Sequence, residues 1–501
     1  MSSNITKGAL ISYVSIFLNI GIGFLYTPWM IQQVGKSDYA LYSLVGAFLS
    51  YFILDFGLNT STARFVAKYR ADGNEEKVSN IIGIISKTYL IIDTIIFVVL
   101  AISYFLLDRI FVGLTTNELE TLKILYIIAG TFSVLSFVLK PIDGIMLAYE
   151  FFIPNKLFDM IHKVGSVLII VTLLMFHGDI YSLIFVNGAT AFIASLFKYI
   201  YFKNKTKIQI NWNYYDKQLI KSLFSFSAWI FLIGLSQRFR LSFIPSILGI
   251  QSNSSEIAIF SLGMTIEGFV WTISSALNGL FLPKVTRMSL NSSDRAKISE
   301  LLLKVGRIQY FIILAIFSGF CIFGKTFIKL WIGEEFASTY YVVTLLLAPS
   351  LINSTQAIAS DMVYADNKVK YTSPIILSTS LIGLIASFLL SPKYGAIGCA
   401  SCTCIALLLY SIFVNVFYKK NLKLNIGNFF KKCHLSITIK TSIPIICGII
   451  INNLFHSDNW LGFGVSIMIY IMIYILNTYF VAFNREEKSI INNIFKIVKR
   501  T

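Results

Sequence analysis

Residues 84–107 read IISKTYLIIDTIIFVVLAISYFLL, and Lys87 and Asp93 are the only charged residues in this stretch. A helix needs about 20 apolar residues to cross the ~30 Å hydrocarbon core of a bilayer, at ~1.5 Å per residue. The rest of the chain is similar in character: of its 501 residues, 56% are hydrophobic and 13% are charged, against about 25% charged residues in a soluble domain. The composition therefore predicts a polytopic membrane protein and excludes a soluble enzyme, a disordered protein and a coiled coil.

Fourteen apolar segments of this kind follow one another along the chain. They predict an all-α integral membrane protein with about 14 transmembrane helices. The second segment is interrupted by Asp55, and the seventh by Arg238 and Arg240. The predicted segments are 8–31, 38–61, 84–107, 119–149, 157–176, 180–202, 222–249, 256–283, 301–331, 336–364, 372–391, 395–418, 435–455 and 460–483.

The distribution of charge predicts how these segments are oriented. The chain carries 42 Lys and Arg residues against 25 Asp and Glu residues, a formal net charge of +17. With a cytoplasmic N-terminus, the fourteen segments place about 34 cations on one side and about 6 on the other, the bias that sets membrane topology. Both termini are then cytoplasmic, and the basic balance does not indicate nucleic-acid binding. The cytoplasmic set includes the stretches Lys198–Lys221, Lys284–Arg307 and Lys419–Lys440, whereas Trp29, Trp331 and Trp460 fall at outer helix ends, as an aromatic belt would.

An internal repeat relates the two halves of the chain. The stretch Asp38–Leu44 (DYALYSL) aligns with Glu256–Leu262 (EIAIFSL), and the Gly-Leu-Asn of residues 57–59 aligns with the Ala-Leu-Asn of residues 276–278. A period of six helices is even, so the repeat predicts two pseudo-symmetric six-helix lobes of the same orientation, with a site between them. The predicted regions are 1–210 for the N-terminal lobe, 211–420 for the C-terminal lobe, 421–484 for helices 13 and 14, and 485–501 for a basic cytoplasmic tail.

The sequence carries no convincing motif of catalysis, metal binding or ATP hydrolysis. The stretch Gly319–Thr326 matches the pattern GxxxxGK[ST], but its intervening residues are bulky and apolar. A phosphate loop needs a glycine-rich turn between a strand and a helix. Cys399, Cys402 and Cys404 lie in an apolar run with no histidine nearby, and we expect buried thiols there. We therefore predict a transporter without a cofactor, a metal or an ATP site, and not an enzyme.

Charged residues inside the membrane indicate where such a transporter would work. A charge at the centre of a membrane helix costs roughly 2.5–3.5 kcal/mol on insertion scales, so it persists where it faces a wet cavity. Arg238 and Arg240 are the deepest cations, and Lys140 is a third candidate. A snorkelling lysine at the inner helix end is the alternative for Lys140. Because guanidinium groups bind phosphate oxygens in a bidentate manner, a cavity lined by them favours an anionic head group.

Four acidic residues fall within predicted membrane segments. Each is a candidate either to pair with these cations or to bind a coupling ion, and a purely structural ion pair is the alternative for each. They are Asp55, Asp93, Glu267 and Asp361.

Three stretches of the chain resemble the polysaccharide-biosynthesis flippases, which include the O-antigen and capsule repeat-unit transporters of the MATE-like multidrug/oligosaccharidyl-lipid/polysaccharide exporter superfamily. Residues 34–44 (VGKSDYALYSL) resemble the family's G-x-x-x-Y-G-x-Y element, with Ala40 in place of the usual glycine after Tyr39. Residues 54–69 (LDFGLNTSTARFVAKY) resemble its D-x-G-x…R-x-x-A element. Residues 327–336 (FIKLWIGEEF) are similar to its LWIG-x-x-[FY] outer loop.

The resemblance implies a function and its partners. Such a flippase moves an oligosaccharide linked to undecaprenyl pyrophosphate from the cytoplasmic to the outer leaflet of the bacterial inner membrane, by alternating access between two lobes. A coupling cation, H⁺ or Na⁺, or the membrane potential supplies the energy, and the last two helices, here about 435–483, form a groove for the lipid tail. Arg64 and Lys68 at the inner mouth are then candidates to attract the diphosphate, with helix orientation as the alternative. Membrane lipid and other proteins of polysaccharide assembly are further candidate partners.

Two other functions remain open on the sequence. A cation-coupled multidrug exporter of the same fold is the first, although a basic cavity would repel hydrophobic cations. A membrane-embedded polysaccharide polymerase or ligase is the second, but such enzymes carry a large outer loop, and the outer loops here are short.

Overall fold

The computed structural model describes most of the chain as helix. The described residues are 18, 20–51, 57–71, 73–176, 178–206, 208, 210–275, 285, 288, 295–366, 368–455 and 459–489. Within them no strand occurs, and the prediction of an all-α membrane protein is confirmed.

The helices are labelled in chain order. In the first half they are α1 (20–34), α2 (Lys36–Leu49), α3 (Leu58–Ala71), α4 (Glu75–Ile110), α5 (Thr116–Phe137), α6 (Pro141–Ala148), α7 (Phe152–Met175), α8 (Ile180–Thr206), α9 (Lys217–Leu241), α10 (Phe243–Gln251) and α11 (Ser254–Ser275). In the second half they are α12 (Arg295–Ile332), α13 (Thr339–Leu347), α14 (Ser350–Asn353), α15 (Ala357–Ala365), α16 (Val369–Asn421), α17 (Ile426–Phe429), α18 (Ser436–Lys440), α19 (Ser442–Leu454), α20 (Trp460–Asn477) and α21 (485–489). Two π-helical segments, Phe430–Leu435 and Thr478–Ala482, precede α18 and follow α20.

Several predicted spans are broken rather than continuous. In the described part of the chain, nine helices are long and apolar enough to cross a membrane, and a bent pair, Thr339–Asn353 with Ala357–Ala365, makes ten if it is one span. The 53 residues of α16 cover two predicted segments, and the seventh predicted segment is divided into α9 and α10. The first two predicted segments lie partly outside the described residues. The count of fourteen is therefore approximate, while the multi-pass architecture is clear.

Packing groups the chain into two compact units. Unit 1 comprises Met1–Ser261 with Ile376–Thr403, and unit 2 comprises Leu262–Ile375 with Cys404–Thr501. The predicted lobes, 1–210 and 211–420, follow a sequence repeat rather than packing and stay a prediction.

The two copies of the repeat begin helices in the same way. Asp38 lies in the first turn of α2, and Glu256 lies in the first turn of α11. An acidic side chain is favoured there by the positive end of the helix dipole. The equivalent positions Ala40 and Ala258 are both fully buried at 0% exposure.

Gly395 interrupts α16 inside unit 1. Its φ of 51° lies in the left-handed region that favours glycine. A Cβ atom there would lie 2.4 Å from Oε2 of Glu256, which accepts a hydrogen bond of 2.7 Å from the backbone N–H of Ala396. The break in α16 therefore allows the Glu256 carboxylate to cap the helix that resumes after it.

The linker between α8 and α9 is docked on α4. A Cβ atom at Gly83 would lie 2.0 Å from the carbonyl oxygen of Asn211, so only glycine allows this approach. The Asn211 side chain donates a hydrogen bond of 2.7 Å to Asn80, and the Lys87 ammonium donates one of 3.1 Å to the Tyr214 carbonyl. These contacts fix the position at which α9 begins relative to α4.

Two expectations from the sequence have clear outcomes in unit 2. Trp331 lies at the end of α12, as predicted, but it is 3% exposed and stacks on Phe327 with ring centroids 5.3 Å apart, so its ring packs inside unit 2. The residues Gly319–Thr326 lie inside the 38-residue helix α12, which confirms that they form no phosphate loop.

Candidate translocation site

The arginine pair of the sequence analysis lies where α9 ends. Arg238 and Arg240 occupy the last turn of this helix, and both are half-buried. The N–H of Ser242 closes the helix with a 2.9 Å hydrogen bond to the Arg238 carbonyl. Cationic side chains are stabilised at a helix C-terminus by the negative end of its dipole. The end of α9 thus stabilises two half-buried guanidinium groups.

The break between α9 and α10 is held by a residue that the sequence analysis missed. The Tyr51 hydroxyl, just after α2, donates a 2.8 Å hydrogen bond to the Ser242 carbonyl and also contacts the Ser246 hydroxyl. Its ring stacks on Phe243 with centroids 4.1 Å apart. Tyr51 is therefore a positioning residue for the helix end that carries the arginines.

The cations of α3 are more accessible. Arg64 and Lys68 are exposed, one helical turn apart. Arg70, which the sequence analysis did not select, is instead tied to the end of α6: it donates a 3.0 Å hydrogen bond to the Ala148 carbonyl and lies 4.6 Å from the centroid of the Tyr149 ring. Arg70 fixes α3 to α6, and Arg64 and Lys68 are exposed on the same helix.

Lys140 is half-buried at the start of α6, immediately before Pro141. The network that it borders was not predicted. The Lys198 ammonium, 6% exposed, lies 2.7 Å from Asp143 and 2.6 Å from Asp159, and Lys156 lies 3.8 Å from Asp159. Lys198 is therefore a buried network residue of α8, and its place on the cytoplasmic side stays a prediction.

The four candidate acids fall in different environments. Asp55 lies outside the described residues. Asp93 is 7% exposed on α4, and its Oδ1 is buried without a hydrogen-bond partner. Glu267 is half-buried on α11, and Asp361 is 5% exposed on α15. Asp93 therefore belongs to unit 1, whereas Glu267 and Asp361 belong to unit 2.

The five predicted cations all lie in unit 1, on helices that contact one another. Helix α3 packs against both α6 and α9, and the Ser61 and Ser227 hydroxyls of α3 and α9 are hydrogen-bonded. Arg64 lies one turn from this contact, whereas Arg238 lies eleven residues further along α9, about 16 Å away at 1.5 Å per residue. The cations of α3 and the arginine pair of α9 are therefore two separate groups, not one cluster.

Unit 2 contains a largely apolar cavity of about 430 Å³ between α12 and α19. The Ser318 hydroxyl, which lines the cavity, lies 2.8 Å from the hydroxyl of Tyr470 on α20. A Cβ atom at Gly448 on α19 would lie 2.8 Å from the Tyr470 ring. The small residue thus lets α19 and α20 approach closely. The cavity is lined by Leu314, Phe317, Ser318, Cys321, Ile322, Ile445, Ile449 and Asn452.

A buried arginine ties the helices around this cavity together. Arg307 of α12 makes a bidentate contact with Glu487, with Nε 2.5 Å from Oε1 and Nη2 3.0 Å from Oε2. It also donates hydrogen bonds to the carbonyls of Lys432, at 2.6 Å, and Ala482, at 3.2 Å. These carbonyls belong to the two π-helical segments. A π-helix forms i→i+5 hydrogen bonds instead of the i→i+4 bonds of an α-helix, which changes which carbonyls are hydrogen-bonded within the helix. One guanidinium group thus joins α12 to both of the last two membrane helices.

The first residues of the predicted tail take part in the contacts of Arg307. Asn484 and Glu487 form a reciprocal cap, because each backbone N–H donates a 2.8 Å hydrogen bond to the other side chain. Glu487 is 3% exposed. Glu487 therefore anchors the start of region 485–501 within unit 2, and residues 490–501 lie outside the described part of the chain.

Comparisons with known proteins agree with this architecture. A family model described as polysaccharide biosynthesis protein matches residues 5–282, more than half of the chain. No curated protein is similar enough in sequence to count as a relative. Solved structures that share the fold include a flippase and several transporters, in agreement with the prediction of a transporter rather than an enzyme.

Three of these structures illustrate the likeness. A lipid II flippase MurJ in an inward closed conformation has a TM-score of 0.70 at 16% identity, over 94% of this chain and 98% of that one. An inward-facing multidrug resistance MATE family transporter of the MOP superfamily has a TM-score of 0.66 at 14% identity, over 84% and 99%. The Vibrio cholerae MATE transporter VcmN in the bent form has a TM-score of 0.57 at 14% identity, over 84% and 98%. The chain belongs to the polysaccharide biosynthesis protein family and has the fold shared by this flippase and the MATE transporters.

Proposed function

We propose that this protein is a flippase that carries oligosaccharide repeat units linked to undecaprenyl pyrophosphate, units of O-antigen, capsule or a related surface polysaccharide. It moves them from the cytoplasmic to the outer leaflet by alternating access. It acts in the bacterial inner membrane with both termini in the cytoplasm, and its two lobes are the repeats 1–210 and 211–420.

The half-buried pair Arg238 and Arg240 is the observation that carries this proposal. The pair interrupts the apolar segment 222–249, and charged residues within such segments mark substrate pathways. A diphosphate offers several charged oxygens in the geometry that guanidinium groups bind. The exposed Arg64 and Lys68 on α3 supply a first attraction, so the head group meets two successive groups of cations, and Lys140 is a further candidate contact.

The cavity between α12 and α19 suits the other end of such a substrate. A polyprenyl chain is apolar along its whole length, so it can pass from the bilayer into an apolar cavity without the cost of burying polar groups, and close packing favours it there. The lining helices belong to the region 421–484 and to α12, which Arg307 holds together. We assign this cavity to the lipid tail.

Arginine substitutions test the head-group assignment. R238A and R240A, each expressed at wild-type level, should lower the amount of surface polysaccharide about tenfold or more, because a hydrogen bond to a charged group contributes about 1.5–3 kcal/mol and each 1.4 kcal/mol is about tenfold. R109A is the matched control, since Arg109 is exposed at the end of α4. Wild-type polysaccharide in both R238A and R240A would contradict the assignment.

Thiol labelling tests the tail assignment. Cys321 lines the cavity and is half-buried, and Cys447 is half-buried on the neighbouring α19 without lining it. In a C447S background, a polyprenyl pyrophosphate should slow alkylation of Cys321 by a membrane-permeant maleimide, because the chain occupies the space beside the thiol. In a C321S background, labelling of Cys447 should not change. Equal protection of both thiols, or of neither, would argue against a tail in this cavity.

A cation-coupled multidrug exporter is the second candidate, and the MATE transporters of the same fold favour it. It would raise drug resistance on expression and would not restore surface polysaccharide to cells that lack a repeat-unit flippase. A polymerase or ligase has less support, because it needs catalytic residues in a large outer loop. In either transporter the coupling cation is H⁺ or Na⁺, with Asp55, Asp93, Glu267 and Asp361 as the candidate acids.

A further inference from the structure

Asp93 lies at the centre of the longest apolar helix of unit 1. It is 18 residues from the first residue of α4 and 17 from the last, so more than 25 Å of helix extends on either side at about 1.5 Å per residue. Its exposure is 7%. On the same face of α4 lie Tyr89, Ile96 and Leu100, which are all buried.

This face of α4 packs against α5. The Tyr89 ring lies 5.4 Å from the Phe137 ring, and the Tyr126 hydroxyl donates a 3.1 Å hydrogen bond to the Leu100 carbonyl. Asp93 lies between these two contacts, so it faces the part of α5 between Tyr126 and Phe137. No ionisable side chain occurs between those two residues in the sequence.

The Asp93 carboxyl group has no partner in the part of the chain that the structure describes. Oδ1 is fully buried and receives no hydrogen bond, and neither oxygen forms an ion pair. Helix α4 packs against α3, α5 and α6. No titratable group of these three helices, nor Lys140 before α6, forms a hydrogen bond or ion pair with the Asp93 carboxyl group. These groups are Arg64, Lys68, Tyr69 and Arg70 on α3, Glu118, Glu120, Lys123 and Tyr126 on α5, and Asp143 on α6.

An isolated carboxylate is far more costly to bury than a neutral carboxyl group. A metal cation would need several further oxygen ligands, since hard cations such as Ca²⁺ and Mg²⁺ take six or more. Among the described residues no group of three His, Cys, Asp or Glu side chains could hold a metal ion. A single proton needs only the carboxyl group itself.

We infer that Asp93 is the proton-carrying residue of the transport cycle and that the coupling ion is H⁺. The inference rests on the proposed function and selects one of its four candidate acids. In the conformation described here, one carboxyl oxygen holds the proton. When another conformation admits water to α4, the O–H bond breaks, the proton passes to water, and the hydrated carboxylate remains. Return to the buried state requires a proton from the water on the side then open, which links proton entry to the conformational change.

Infrared difference spectroscopy tests the protonation without any substrate. The purified full-length protein at neutral pH should show the C=O stretching band of a protonated carboxyl group, although an exposed aspartate, with a pKa of about 3.9, is ionised there. D93N should lose this band, and D108N should keep it, because Asp108 lies on the same helix, is exposed and pairs with Lys123 at 2.7 Å. Should D93N not fold, D93E should shift the band. Spectra of D93N or D93E that match the wild type would overturn the inference.

A transport measurement tests the coupling. In vesicles, the wild type should move a fluorescent polyprenyl pyrophosphate between leaflets severalfold faster under an imposed pH gradient, and D93N should lose this response while D108N retains it. A D93N protein that responds like the wild type would overturn the coupling role. A wild type that shows the infrared band but moves no probe would instead contradict the proposed function and leave the protonated Asp93 standing.

Discussion

Replacing Arg307 by methionine should lower the free energy of unfolding by about 3–5 kcal/mol, the cost of removing one partner from a buried ion pair. R307M leaves the Glu487 carboxylate buried and deprives the carbonyls of Lys432 and Ala482 of a donor. Denaturant unfolding of the purified protein in detergent measures the change. R307M should also release the start of the C-terminal region, which limited proteolysis after Arg485 would report.

Two further variants separate the ion pair from a general loss of packing. K304M removes a neighbouring pair on the same helix, Lys304 with Glu486 at 2.6 Å, which is largely exposed and should contribute less than about 1 kcal/mol. The double variant R307M/E487M should recover much of the lost stability, because replacing a whole buried pair with apolar residues is often nearly neutral. A double variant no more stable than R307M would mean that Glu487 is not the residue left unsatisfied.

The second large effect is expected at Lys198. K198M leaves Asp143 and Asp159 as two neighbouring carboxylates without their shared cation. Their side chains are 30% and 44% exposed, so water compensates part of the loss. We expect a decrease of about 2 kcal/mol in the free energy of unfolding, between the values for exposed and buried pairs.

The same network supplies the control for this prediction. K156M removes a cation 3.8 Å from Asp159 that is 46% exposed, and it should cost less than about 1 kcal/mol. Neutralising both acids in K198M/D143N/D159N should restore stability relative to K198M. Equal losses in K198M and K156M would contradict a buried network centred on Lys198.

The fold class could be predicted from the sequence because hydropathy acts locally. A run such as residues 84–107 has no alternative to a membrane helix, and α4 contains all of it. The breaks were harder to predict. The fourth predicted segment, 119–149, divides at Lys140 because Pro141 begins a new helix, and the break at Gly395 depends on a carboxylate 139 positions earlier, Glu256.

The sequence predicted only those site residues that are unusual in their own sequence context, and not those that matter through a distant partner. Arg238 and Arg240 stand out because they interrupt an apolar segment, whereas Tyr51 looks like any membrane tyrosine until its contact with Ser242 is known. Lys198 looked like one more cation at the cytoplasmic end of the predicted segment 180–202, because its partners lie 39 and 55 residues away. The sequence did offer one signal for the docked C-terminal region: Asn484 followed three residues later by Glu487 is a helix-capping pattern.

The location of lipid-linked single repeat units in cells lacking this protein tests the proposed function most directly. Intact cells and inverted membrane vesicles would be treated with an impermeant enzyme that cleaves the sugar from its lipid. We expect the units to be protected in intact cells and cleaved in inverted vesicles, because without the flippase they stay in the cytoplasmic leaflet. Units that are cleaved in intact cells would contradict the account, since they would have crossed the membrane without this protein.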